Sequence, residues 1–148
     1  MVDASIAVAI VAKEVNTETI ASAEIVRYSE LGYRFFAPGV LVTETLYVLC
    51  KKLESGVLSG ADHKQAVQDF QSFMRKVLPP PHGDGALVLR AEAARGTYTC
   101  RRSADGVYVA LAEELTTLGP TVLLTFDEDM AKQAAKHSPN VSPQLLSA

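Results

Sequence analysis

Apolar residues in this chain come in blocks whose spacing alternates between helical and strand-like periods. The opening VDASIAVAIVA sets seven apolar residues, 6–12, behind Asp3 and Ser5. It reads as a very short strand ending near Asp3, followed by a buried helix that Ser5 could cap. Asn16 then fits the N-cap of a helix through TETIASAEIVRYSEL to a stop at Gly32, and residues 33–36 form a short strand candidate. Beyond Pro38 and Gly39, VLVTETLYVLCKKLES repeats Val42, Leu46, Leu49 and Leu53 along one side of a helix that ends at Gly56.

In the second half, SGAD at 59–62 resembles a capping box with Asp in place of Glu. Ala66, Val67, Phe70, Phe73, Met74 and Val77 then recur at helical spacing. PPPHGDG at 79–85 is the strongest loop signal, because consecutive prolines neither continue a helix nor pair in a central strand. ALVLRAEAAR predicts a helix ended by Gly96, TYTCRRS a loop, and ADGVYVALAEELTTL a helix ended by Gly119. TVLLTF at 121–126 is the clearest strand, with the continuous apolar run of a strand covered on both faces. DEDMAKQAAK opens a last helix with acids in its first turn and lysines toward its end, as the helix dipole favours. The tail after Ser138 fits an edge strand or a loose end. Strands alternating with helices predict an α/β fold with a short, mainly parallel sheet, in a single domain over residues 1–148.

With 148 residues and 48% hydrophobic content, the chain can bury a core without disulfides or a structural metal. Its two cysteines, Cys50 and Cys100, lie far apart with no zinc-ligand spacing, and read as packed thiols in a reducing compartment. The formal charge of -3 argues against nucleic-acid binding through bulk positive charge, leaving local basic pairs as the option. Lys51 with Lys52, and Arg75 with Lys76, read as solvated helix faces. The apolar run at 6–12 lacks the basic start of a secretion signal, and no stretch approaches the ~20 apolar residues needed to cross a membrane. A cytoplasmic protein without membrane association is expected.

GxGxxG, GxxxxGK[ST] and GxSxG are all missing, and His63, His82 and His137 sit where solvated histidines are common. Four carboxylates stand out instead. Asp3 follows the first strand candidate, Glu44 lies among apolar helical residues, Asp105 opens a helix, and Asp127 directly follows TVLLTF. Each has an ordinary alternative: Asp3 a terminal position, Glu44 a solvated one, Asp105 and Asp127 helix caps. Parallel sheets, however, gather ligands beyond the carboxyl ends of their strands. Three or four carboxylates brought together there cannot all stay ionised without a cation, and an all-oxygen site suits Mg²⁺ or Mn²⁺. Such an ion can activate water and stabilise an in-line phosphoryl displacement.

VDAS at 2–5, APGVLVTETLYVL at 37–49, SADGVYVALAEE at 103–114 and LLTFDEDM at 123–130, in that order, resemble the PIN-domain family, and in particular its toxin-type ribonucleases. The resemblance implies a three-layer α/β/α sandwich and a metal-dependent ribonuclease. Asp3, Asp105 and Asp127 would hold Mg²⁺ or Mn²⁺ directly or through water, and Glu44 would help hold the ion or the attacking water. Ser5 and Thr125 match polar positions of the family pattern and could orient a carboxylate, while Asp129 is a reserve ligand. Arg101 and Arg102 could meet an RNA phosphate, the alternative being a surface pair. A toxin of this kind would have a cognate antitoxin that lays a segment into the acidic groove. Only Met1 and Val2 precede Asp3, a shorter first strand than this fold prefers.

Two other readings compete. One is a catalytically inactive protein-interaction or RNA-binding module on the same fold; the other is a receiver-like or phosphatase domain, which lacks its expected acidic pair or DxD. The apolar face of Phe70, Phe73, Met74 and Val77, with the helix at 20–31, suggests a homodimer.

Overall fold

Short parallel strands carry the architecture, and helices take up most of the chain between them. The computed structural model describes residues 1–94 and 103–147. Its elements run α1 (Ala4–Val11), α2 (Thr17–Glu30), β1 (Phe35–Phe36), α3 (Val40–Glu54), α4 (Gly60–Met74) and β2 (Val77–Leu78). They continue with α5 (Asp84–Ala94), α6 (Ser103–Leu115), β3 (Thr121–Thr125), α7 (Glu128–His137) and β4 (Val141–Leu145).

β1 pairs in parallel with β2, Phe35 opposite Val77, and β3 pairs in parallel with β4 from Thr121 opposite Val141 to Thr125 opposite Leu145. Met1 and Val2 lie between the two pairs. The Val2 amide donates to Phe36 O at 3.1 Å, the Leu124 amide donates to Met1 O at 3.0 Å, and Val2 bridges Leu124 in parallel. Backbone bonds on both sides hold Met1 and Val2, with Val2 fully buried, and so seat Asp3. β4 accommodates Pro143 opposite Leu123, as a strand with one unpaired edge permits. The described strands form two two-stranded parallel sheets, not one continuous central sheet, and Val77, placed by its spacing in the preceding helix, lies instead in β2 after α4 ends at Met74.

Local chemistry explains most helix boundaries, with three departures from the sequence reading. Asp3, not Ser5, caps α1: its side chain accepts from the Ile6 amide at 3.1 Å. Asn16 holds φ 72° and makes no side-chain cap bond, so its contribution to α2 is a left-handed backbone turn, which Asn tolerates better than most residues. In α3 the buried positions are Leu41, Thr45 and Leu49, while Leu46 and Leu53 are exposed. Of the apolar series 42, 46, 49, 53, Leu49 is fully buried and Val42 packs against the core, while Leu46 and Leu53 face outward. Ser59 does cap α4, accepting from the Asp62 amide at 3.1 Å, and Ala66 and Phe70 turn inward.

Residues 79–83 form the proline loop, whose end is tied down twice. Asp84 Oδ1 accepts from the Gly39 amide at 2.7 Å, and a Cβ added at Gly39 would lie 2.8 Å from Asp84 Oδ2, so any other residue there would push that carboxylate aside. Glu114, buried on α6, pairs with His82 Nδ1 at 2.8 Å and Arg90 at 3.1 Å. His82 is therefore solvent-exposed but paired.

One core runs through Val2, Ile6, Leu41, Leu49, Leu87, Leu111, Leu123 and Leu124. Phe70 belongs to it, and Phe73, Met74 and Val77 pack against it, so that face is used within the chain. Exposed apolar side chains lie elsewhere, at Tyr47, Val57, Val88 and Leu89 among others. Cys50 is exposed, which corrects the expectation of a packed thiol. Gly96, Cys100, Arg101 and Arg102 lie outside the described residues. Among those described, no helix is long and apolar enough to cross a membrane.

Candidate acidic site

Asp3 sits where the buried N-terminal segment turns into α1, and its carboxylate is held by three donors. Oδ1 accepts from the Ser5 hydroxyl at 2.6 Å and from the Ile6 amide at 3.1 Å, and Oδ2 accepts from the Thr125 hydroxyl at 2.6 Å. Both hydroxyls serve the end of β3 as well: Ser5 Oγ accepts from the Phe126 amide at 2.9 Å and Thr125 Oγ1 from the Asp127 amide at 2.8 Å. Ser5 and Thr125 thus act as two-sided pins that lock α1 to the carboxyl end of β3. Asp127 leaves that end and caps α7, its Oδ1 accepting from the Asp129 and Met130 amides at 2.8 and 3.0 Å.

Asp3 is 2% exposed. Burial pushes its carboxyl above the usual range despite the pull of Ser5, Thr125 and the Ile6 amide, and the negative charge of Asp127 adds to the rise. A buried carboxylate with another carboxylate nearby is the electrostatic setting that a cation relieves.

All four sequence-selected acids line one cavity of about 450 Å³: Asp3 from the N-terminal segment, Glu44 from α3, Asp105 from the first turn of α6, and Asp127 from the end of β3. Ser5 lines it too, while Thr125 acts from behind through Asp3 and the Asp127 amide. Asp129 is exposed and does not line that cavity. The donor chemistry fits a hard divalent cation. Among the described residues, however, no three Asp, Glu, His or Cys side chains converge as a metal-holding group. Each carboxylate of Asp3, Glu44 and Asp127 is instead engaged by protein donors.

Two cavity residues escaped the sequence reading. Tyr108, on α6 and 1% exposed, donates its hydroxyl to Glu44 Oε2 at 2.6 Å. Burial, then that bond to a carboxylate, pushes the phenol far above its ordinary range, keeping it neutral. The one sequence signal for it was its place three residues after Asp105, one turn along the same helix face. Glu14 lines the cavity from the α1–α2 turn, pairing with Lys52 Nζ at 2.6 Å and accepting from the Thr17 hydroxyl at 3.2 Å.

The family profile described as PIN domain matches residues 1–136, a span that includes every carboxylate of the cavity. No curated protein sequence matches the chain.

Proposed function

The chain belongs to the PIN-domain family, and from that premise we propose that it is a metal-dependent endoribonuclease, the toxin partner of a cognate antitoxin. PIN domains are generally nucleases and typically use divalent metals. The observation that carries the proposal is the single cavity collecting Asp3, Glu44, Asp105 and Asp127, with the most buried of them pushed toward protonation. The three-layer α/β/α arrangement belongs to the same reading, supported by α1 packing on α2, α3 and α4 while α6 and α7 pack on β3.

Asp3, Glu44, Asp105 and Asp127 would hold Mg²⁺ or Mn²⁺. When bound, the ion supplies Lewis-acid stabilisation of phosphoryl charge and lowers the pKa of water. The chain's own residues set the conditions for that chemistry. Ser5 and Thr125 hold the Asp3 carboxylate in one orientation. The Asp129 and Met130 amides fix Asp127 Oδ1, which orients this carboxylate at the wall of the cavity. Arg101 and Arg102, just before α6, are the proposed contact to an RNA phosphate, a role in which Arg is favoured for its forked donors.

Incubation of single-stranded RNA with the protein and Mg²⁺ or Mn²⁺ should give cleavage that disappears with EDTA and with Asp105→Asn. Cleavage surviving both changes belongs to another mechanism. One observation favours a second reading, an inactive interaction or RNA-binding module: Asp3, Glu44 and Asp127 already serve protein donors. Calorimetric titration separates the two, since a module of that kind would take up no Mn²⁺ at millimolar concentration.

A further inference from the structure

Tyr108 shares α6 with Asp105 and lines the same cavity as Asp3 and Glu44. It reaches from α6 to α3, where its hydroxyl donates to Glu44 Oε2 at 2.6 Å. The phenol therefore ties α6 to a carboxylate 64 residues away in sequence. Tyr108 is among the largest fully buried side chains, so its ring has no room to leave this position without opening the core.

We propose that Tyr108 is a positioning residue, which fixes the Glu44 carboxylate at the acidic cavity and thereby sets the grip of the site on a divalent cation. The inference rests on the metal-site reading above and adds a residue that touches neither substrate nor ion. Glu44 sits in mid-helix on a three-bond side chain with access to solvent, and a glutamate of that kind samples several rotamers unless something holds it. A charge-assisted bond of ordinary length is a strong restraint for that purpose. Its second carboxylate oxygen, Oε1, is left to serve the cavity while Oε2 is occupied.

Tyr108→Phe keeps the ring and its packing and removes only the hydroxyl. Mn²⁺ binding should be measured by calorimetry in four proteins: the parent, Tyr108→Phe, Glu44→Gln and the double variant, with unfolding curves to confirm that each is folded. The expected result is a loss of roughly tenfold in Mn²⁺ affinity for Tyr108→Phe, with no further loss when the same change is made on Glu44→Gln. Parent-like affinity in Tyr108→Phe overturns the proposal. So does an equal loss in both backgrounds, which marks a structural effect that does not pass through Glu44. Crystal structures of the metal-free parent and Tyr108→Phe proteins form the second arm. The Glu44 carboxylate should move out of its parent position in Tyr108→Phe, and an unmoved carboxylate overturns the positioning claim whatever the calorimetry gives. A parent protein that takes up no Mn²⁺ sinks the metal reading and, with it, the cation half of this proposal, whereas failure confined to Tyr108→Phe leaves the metal reading standing.

Discussion

Asp3 accepts three hydrogen bonds and is still pushed upward in pKa, so desolvation outweighs donors that would each lower it. The sign of the consequence follows from linkage. A carboxyl whose folded pKa lies above its unfolded value contributes stability that is complete below the unfolded pKa, near 3.8, and is lost as pH rises through the folded pKa. Metal-free protein should therefore lose stability over that rise, and Asp3→Asn should remove this component of the pH dependence. The amide can still accept from Ser5 and the Ile6 amide, so Asp3→Asn should melt at or above the parent temperature at neutral pH in EDTA. Calorimetry at several pH values checks both statements, and a lower melting temperature for Asp3→Asn would contradict the account. Ser5→Ala behaves in the opposite sense. It removes a donor to Asp3 and strands the Phe126 amide, a cost of about 1–3 kcal/mol in urea unfolding.

Elements show where a role in the site and a role in the fold can be pulled apart. Asp127 caps α7 with Oδ1 and lines the cavity, and both roles were open alternatives at that position in the sequence. Asp127→Ser retains a capping oxygen, whereas Asp127→Ala removes it at about 1 kcal/mol. Both should abolish Mn²⁺ uptake, yet only the alanine variant should lose stability in denaturant titrations. An Asp127→Ser protein that still binds Mn²⁺ would remove Asp127 from the ligand set. The same element scale explains what could be read in advance. Ser59 and β3 were legible because capping and a two-face apolar run are local signals. β2 was not, because two residues become a strand only by pairing with β1, about forty residues earlier. The α3 phase misled because Thr45 is buried while Leu46 and Leu53 face outward, a choice made by tertiary packing. The four acids were found from motifs and strand ends, while Tyr108 was hidden because its partner lies on another helix.

At the scale of the whole molecule, a fold that buries Asp3 beside another acid stands to gain stability from a cation. Ligand binding to the folded state alone stabilises it by RT ln(1 + [L]/Kd), about 2.7 kcal/mol at a hundredfold excess over Kd. For a chain of this length each kcal/mol raises the melting temperature by roughly 2–4 °C, so saturating Mn²⁺ should raise it by roughly 5–10 °C. The shift should climb with the logarithm of metal concentration, vanish with EDTA, and shrink sharply in Asp3→Asn and Glu44→Gln. Mg²⁺, with its stricter octahedral demand, should give the smaller shift of the two. A melting temperature indifferent to both ions would leave the cavity as a structural junction of helix caps. The size of the Mn²⁺ shift therefore measures how far this acidic cavity behaves as a metal site without reference to any RNA substrate.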